Sequence, residues 1–115
     1  MPARRHIIQG TGKVVSNKKV KPGYFLMGIR CPPIAKEARP GQFLTIRCGS
    51  GSATIPLLRR PFGFHRISSS GFEILYEIIG EGTRFLSGLK PGDKLDLLGP
   101  LGNGFTVRKG GKNFI

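Results

Sequence analysis

Apolar residues recur at every second position in several short runs, and glycine or proline closes almost every run. A period of two marks strands with one face buried, so the chain reads as a succession of strands. His6 to Val15 is the first, interrupted by Gly10 and Gly12, and Ser16-Asn17-Lys18-Lys19 reads as a turn after it. Beyond Lys21-Pro22-Gly23, Tyr24 to Arg30 is a second strand with Phe25, Met27 and Ile29 on one face. Cys31 to Pro40 reads as a loop because Pro32 and Pro33 interrupt any regular pattern. Gln42 to Arg47 is the third strand, with Leu44 and Ile46 together, and Gly49 to Ala53 a flexible turn.

A fourth strand is expected over Leu58 to Ile67 and a turn over Ser68 to Gly71. Phe72 to Ile79 is the clearest strand, since Phe72, Ile74, Tyr76 and Ile78 all share one face. Gly80-Glu81-Gly82 ends it, and Thr83 caps a short helical turn that runs to Ser87 and stops at Gly88. After the turn at Lys90 to Asp93, Lys94 to Leu98 is the sixth strand. Six strands and one short helix predict an all-β, six-stranded antiparallel Greek-key barrel, because closure removes the edges that an open sheet exposes. A chain of 115 residues fits one domain, placed over residues 1–107. Residues 108–115 read as a linker and the first residues of a further domain.

Composition changes this picture little, but charge adds to it. The chain holds 18 Gly and 9 Pro, which leaves little room for long helices. Nineteen Lys and Arg against six Asp and Glu give a net charge of +13. Such a surface attracts nucleic acid, anionic membrane or an acidic protein, and reads equally as a solvated basic face. Cys31 and Cys48 form no Cys-x-x-Cys pair, and with His6 and His65 as the only further candidates no metal site is expected. No run is long and apolar enough for a membrane span or an export signal, so a cytoplasmic location with free thiols is expected.

Three segments carry candidate chemistry. They are Pro56 to Gly63 with Arg59-Arg60-Pro61-Phe62, Tyr76 to Thr83 with Gly80-Glu81-Gly82, and Leu89 to Phe105 with Pro91-Gly92-Asp93 and Gly99-Pro100-Leu101-Gly102-Asn103-Gly104. A guanidinium meets phosphate oxygens in pairs, and glycine at a helix start lets backbone N–H groups approach an anion. Taken singly, Arg59 and Arg60 read as a surface pair, Phe62 and Tyr76 as core residues, and the glycines as turn formers.

In order and spacing the three segments resemble the flavin domain of the ferredoxin-NADP reductase superfamily. Within it they resemble the electron-transfer subunits of two-subunit, NAD-linked dihydroorotate dehydrogenases. The resemblance implies an FAD-binding domain in which Arg60-Pro61-Phe62-Gly63 fills the place of the flavin-gripping Arg-x-aromatic-Ser/Thr motif. It implies that Arg60 holds the pyrophosphate, Phe62 lies against the flavin or ribityl group, and Leu75, Tyr76 and Glu77 line the cofactor. Gly82 and Thr83 would contact the pyrophosphate through backbone N–H and hydroxyl. Gly63 departs from the motif: relatives place a hydroxyl near flavin N5 where this chain has no side chain. The resemblance further implies electron flow from NAD(H) through FAD to a 2Fe-2S cluster and a catalytic dihydroorotate dehydrogenase subunit, in pyrimidine biosynthesis. The NAD(H) site and the cluster are expected beyond these residues, since no glycine-rich nucleotide fingerprint or cysteine cluster is present. The alternatives are a flavin reductase of the same superfamily with another acceptor and a basic RNA-binding barrel.

Overall fold

The computed structural model describes residues 7–49 and 59–103. Seven strands and two helices follow in the order β1 (Ile8–Lys21), β2 (Tyr24–Arg30), α1 (Pro32–Glu37), β3 (Phe43–Arg47), β4 (Arg59–Gly63), β5 (Arg66–Ile67), β6 (Gly71–Glu77), α2 (Glu81–Ser87) and β7 (Lys94–Leu101). They form one antiparallel sheet in the order β4-β3-β7-β1-β2-β6-β5.

The mostly β architecture follows from the period-two pattern, but its details differ from the expectation at four points. First, Ser16 to Lys19 is not a turn. It continues β1, which pairs with β7 over Ile8–Lys13 and with β2 over Lys13–Lys21. Irregularities at Val14/Ser16 and Lys19/Lys21 bend the strand where its polar residues fall, and the reversal waits for Gly23 at φ +82. Second, the segment after Cys31 opens with a helix, because prolines at its first positions lack N–H groups that would be unpaired there anyway. Ile34 and Ala35 on α1 are buried.

Third, the strand expected from Leu58 to Ile67 is split into β4 and β5; Leu58 itself lies outside the described residues. The Phe64 N–H donates to Gln42 O (3.5 Å), whereas the next N–H, of His65, donates to Glu73 O (2.7 Å). Between adjacent residues the chain thus crosses from one edge of the sheet to the other. Fourth, the sheet is rolled but is not the expected six-stranded closed barrel. No ladder joins β4 to β6 among the described residues, and β5 pairs only with Phe72 and Glu73, leaving β6 from Ile74 to Glu77 without a strand on that side. The proposed linker at 108–115 lies outside the described residues.

The concave side encloses the core. Val14, Met27, Ile29, Leu44, Ile46, Ile74 and Leu97 are almost fully buried, and Ile34 and Leu86 are inserted from the two helices. Where β6 begins, an added Cβ on Gly71 would stand 2.3 Å from Ile29 O and 3.2 Å from Arg30 Cα, so only glycine fits the pairing with β2. Gly71→Ala is expected to destabilise the fold by about 1–3 kcal/mol. Gly63→Ala, whose Cβ meets nothing within 4 Å, should stay within about 0.5 kcal/mol of the parent. Urea denaturation of the two variants checks both.

Candidate functional site

Antiparallel pairing sets which β4 side chains face inward. Arg60 stands opposite Ile46 and Phe62 opposite Leu44, and both partners are buried, so Arg60 and Phe62 lie on the concave side. Arg59, Pro61 and Gly63 alternate to the outside. Phe62 crosses the gap to β6 and meets Tyr76 edge-on, centroids 6.1 Å apart at 76°, while Phe25 stacks on the same ring at 5.7 Å. An added Cβ on Gly82, at the start of α2, would lie 3.5 Å from Arg60 Cγ and 3.2 Å from Cys48 Cβ. Arg60, Phe62, Tyr76, Gly82 and Cys48 therefore line one region, where the sheet fails to close. The Arg60 side chain is exposed there and has no ion pair or hydrogen bond among the described residues.

The polar groups that frame this region are fully engaged. Both Asn17 Nδ2 hydrogens are donated to α2 and its exit, to Leu86 O at 2.9 Å and Leu89 O at 3.0 Å, and Asn17 Oδ1 accepts from the Tyr76 hydroxyl at 2.9 Å. Thr83 does the same at the other end of α2. Its hydroxyl accepts from the N–H groups of Ile79 (2.9 Å) and Gly80 (3.2 Å) and donates to Gly80 O, which saturates it. Gly80 is the N-cap residue, and Thr83 sits three residues inside the helix and caps it from there. The Leu75 and Glu77 side chains point to the opposite, convex side, opposite Leu26 and Tyr24, so these residues offer the region only their backbone along the unpaired edge of β6.

Burial dominates the electrostatics. It pushes the Cys48 thiol up to about 11 against the pull of the nearby Arg60 charge, and the Tyr76 phenol up to about 12. Both groups are therefore neutral near pH 7. On the convex side Asp96 also loses solvation, but a hydrogen bond and charge from Arg59, then Gln9 and Arg47, outweigh this and hold its carboxyl below the usual range. Arg59 and Arg60 thus have separate surroundings. No group of three or more His, Cys, Asp and Glu that could hold a metal occurs among the described residues, and no helix among them is long and apolar enough to cross a membrane.

Cys48 and Asn17 were not candidates from sequence. Cys48 carries no signal apart from its position after an apolar strand, and Asn17 lies in a polar tetrapeptide that resembles a turn. Asn17→Ala leaves two carbonyls and a phenol without their partner, and the expected loss is about 1–3 kcal/mol in denaturation experiments. Alkaline pH gives a second test. A thiol whose folded value lies above its unfolded value contributes stability that is complete below about pH 9 and is lost as pH rises through about 11. Urea midpoints measured from pH 8 to 11 should therefore fall less steeply in Cys48→Ala than in the parent chain.

No family model matches the chain. Its sequence is 42% identical over 97 residues to the electron transfer subunit of dihydroorotate dehydrogenase B (NAD(+)) from Desulforamulus reducens, covering 83% of this chain and 36% of that protein. The chain thus spans little more than a third of the length of this curated relative. Among solved structures, an NADH-dependent reduced ferredoxin-NADP oxidoreductase described for flavin-based electron bifurcation superposes with a TM-score of 0.74 at 32% identity, over 83% of this chain and 34% of that one. A flavohemoglobin from Malassezia yamatoensis with bound FAD and heme shares the fold, with a TM-score of 0.67 at 22% identity over 84% and 26% of the two chains. Sequence and fold agree: the chain belongs to the ferredoxin-NADP reductase superfamily and is similar in sequence to the electron transfer subunit of dihydroorotate dehydrogenase B.

Proposed function

We propose that this chain is the FAD-holding part of an electron-transfer subunit that serves a dihydroorotate dehydrogenase. The observation that carries the reading is Arg60, whose side-chain stem lies beside Gly82 and whose guanidinium has no partner among the described residues, in a region where no ladder among those residues joins β4 to β6. A planar fork of donors suits a pyrophosphate, and the glycine lets the α2 backbone come close to it. Phe62 and Tyr76 offer an apolar wall for an aromatic ring system, and the missing side chain at Gly63 leaves only backbone where relatives of the motif place a hydroxyl. Leu75 and Glu77 contribute backbone groups along the free edge of β6. Pro61 fixes the strand between the two inward residues. Thr83 orders the start of α2, because its hydroxyl is already saturated by the chain.

FAD supplies the capacity to take hydride from a nicotinamide and release single electrons; the chain binds and orients it. In this reading NAD(H) and a 2Fe-2S cluster are held by the remainder of the subunit. The sequence has only two cysteines, fewer than the four thiolates such a cluster needs. The resemblance to a reduced ferredoxin-NADP oxidoreductase at 32% identity favours, as a second reading, the same flavin site serving a different acceptor. An RNA-binding surface has less support, since Phe25, Phe62, Phe64, Phe72 and Tyr76 pack on one another and are not displayed for base stacking.

Titration of the purified chain with FAD, followed by visible absorbance, tests the proposal. Arg60→Ala is expected to weaken binding by about 1.5–3 kcal/mol through loss of a charge-assisted phosphate contact. Arg59→Ala, which removes a partner of Asp96 on the convex side, should leave FAD affinity unchanged. The opposite pattern, or a chain that takes up no flavin but binds RNA with steep salt dependence, would overturn it.

A further inference from the structure

The register of the sheet brings together three cations that the sequence keeps far apart. Lys13 on β1 stands directly opposite Lys94 on β7 and directly opposite Arg30 on β2. Val14, Ile29 and Leu95, their neighbours in sequence, are buried, so alternation turns Lys13, Arg30 and Lys94 outward, and all three are exposed. Neighbouring strands lie about 4.8 Å apart, which confines the three charges to a row about 10 Å long. Like charges directly opposite one another on adjacent strands destabilise a sheet.

Elsewhere on the convex face this fold neutralises such contacts. Arg47 and Arg59 also face each other across two strands, and Asp96 takes both, directly to Arg59 and at 3.5 Å to Arg47. Arg66 faces Glu73 across β5 and β6 at 3.7 Å. No acid is paired with any member of the Lys94–Lys13–Arg30 row among the described residues. The nearest acid in sequence, Asp93, directs its carboxylate to the Lys90 N–H at 2.7 Å. Beside Arg30 the face dips into a groove of about 260 Å³ whose lining includes Val15, Ser16, Gly28 and Ser68, and Val15 is 51% exposed.

We propose that the row Lys94–Lys13–Arg30, with the groove beside it, is a docking surface for an acidic patch on a partner protein. The row is short and is bounded on both sides by charge clusters that include acids: Asp96 lies two residues along β7, and Glu73 is opposite Gly28, two residues along β2. A compact set of carboxylates fits between these bounds. A nucleic acid backbone running past them meets Asp96 or Glu73, and Phe72, the aromatic residue in the groove's lining, is buried and packed edge-on against Phe64, so it offers no face for a base to stack on. A membrane surface gains little from one exposed valine. The groove gives an apolar side chain of a protein partner a seat next to the charges. The surface lies on the convex side, away from Arg60 and Gly82, so its occupancy does not depend on a ligand in that region.

The test uses Lys13→Glu, which places an acid between Lys94 and Arg30, with Lys18→Glu as a control of equal charge change outside the row. The probe is a labelled oligoglutamate peptide, followed by fluorescence anisotropy at low salt. Lys13→Glu is expected to weaken binding by about tenfold or more and to raise the thermal midpoint, whereas Lys18→Glu changes affinity by no more than about twofold. Equal losses in the two variants, or no loss in Lys13→Glu, would sink the proposal, and so would a lowered midpoint in Lys13→Glu. Oligouridylate RNA or phosphatidylserine vesicles bound more tightly than the peptide, and released by Lys13→Glu, would assign the row to those ligands instead.

Discussion

A single side-chain amide ties the two halves of this molecule together. Asn17 lies on β1, which pairs with both β7 and β2, and satisfies polar groups from β6 and from the end of α2. The last carbonyls of a helix have no partner within it, and a part-buried phenol needs an acceptor. By meeting both needs at one atom group, Asn17 fixes where α2 sits relative to Tyr76. The position of Gly82 near Arg60 depends on that placement, as does the wall that Tyr76 forms with Phe62.

The other constraint is the unfinished roll of the sheet. A fully paired barrel would occupy the edge of β6 with hydrogen bonds from a neighbouring strand. Here, among the described residues, the chain bridges the edges only at Phe64 and His65, and β4 leans towards β6 through the ring of Phe62 without pairing. The residues that suit an anionic, aromatic cofactor line this gap. Failure of closure and formation of a candidate site are therefore one structural event, not two.

Much of this was legible in the sequence. The alternation of Phe72, Ile74 and Tyr76 fixed one face of β6, and the doublet Arg59-Arg60 had to send its members to opposite sides once β4 was recognised as a strand. What stayed hidden depends on partners distant in sequence. Ser16 to Lys19 has the composition of a turn, and only the pairing with β2 keeps it extended. Pro32 and Pro33 disrupt a helix interior but are harmless at its first turn. The split between β4 and β5 follows from the rolling of the sheet, which no local pattern encodes. Lys13, Arg30 and Lys94 are ordinary surface cations until register sets them side by side.

The sheet order also bears on how the chain must assemble. β7, from Lys94 to Leu101, is wedged between β1 and β3, so it is the seam that joins the β4-β3 pair to the β1-β2-β6-β5 group. It is also the last strand among the described residues, and its Asp96 meets Gln9 from 87 residues away. On a ribosome the two groups of strands emerge with their inner edges bare, and they stay so until the seam has been synthesised. Such long-range closure makes for slow folding, and it leaves the nascent chain reliant on its charged surface to keep those edges from pairing with other chains.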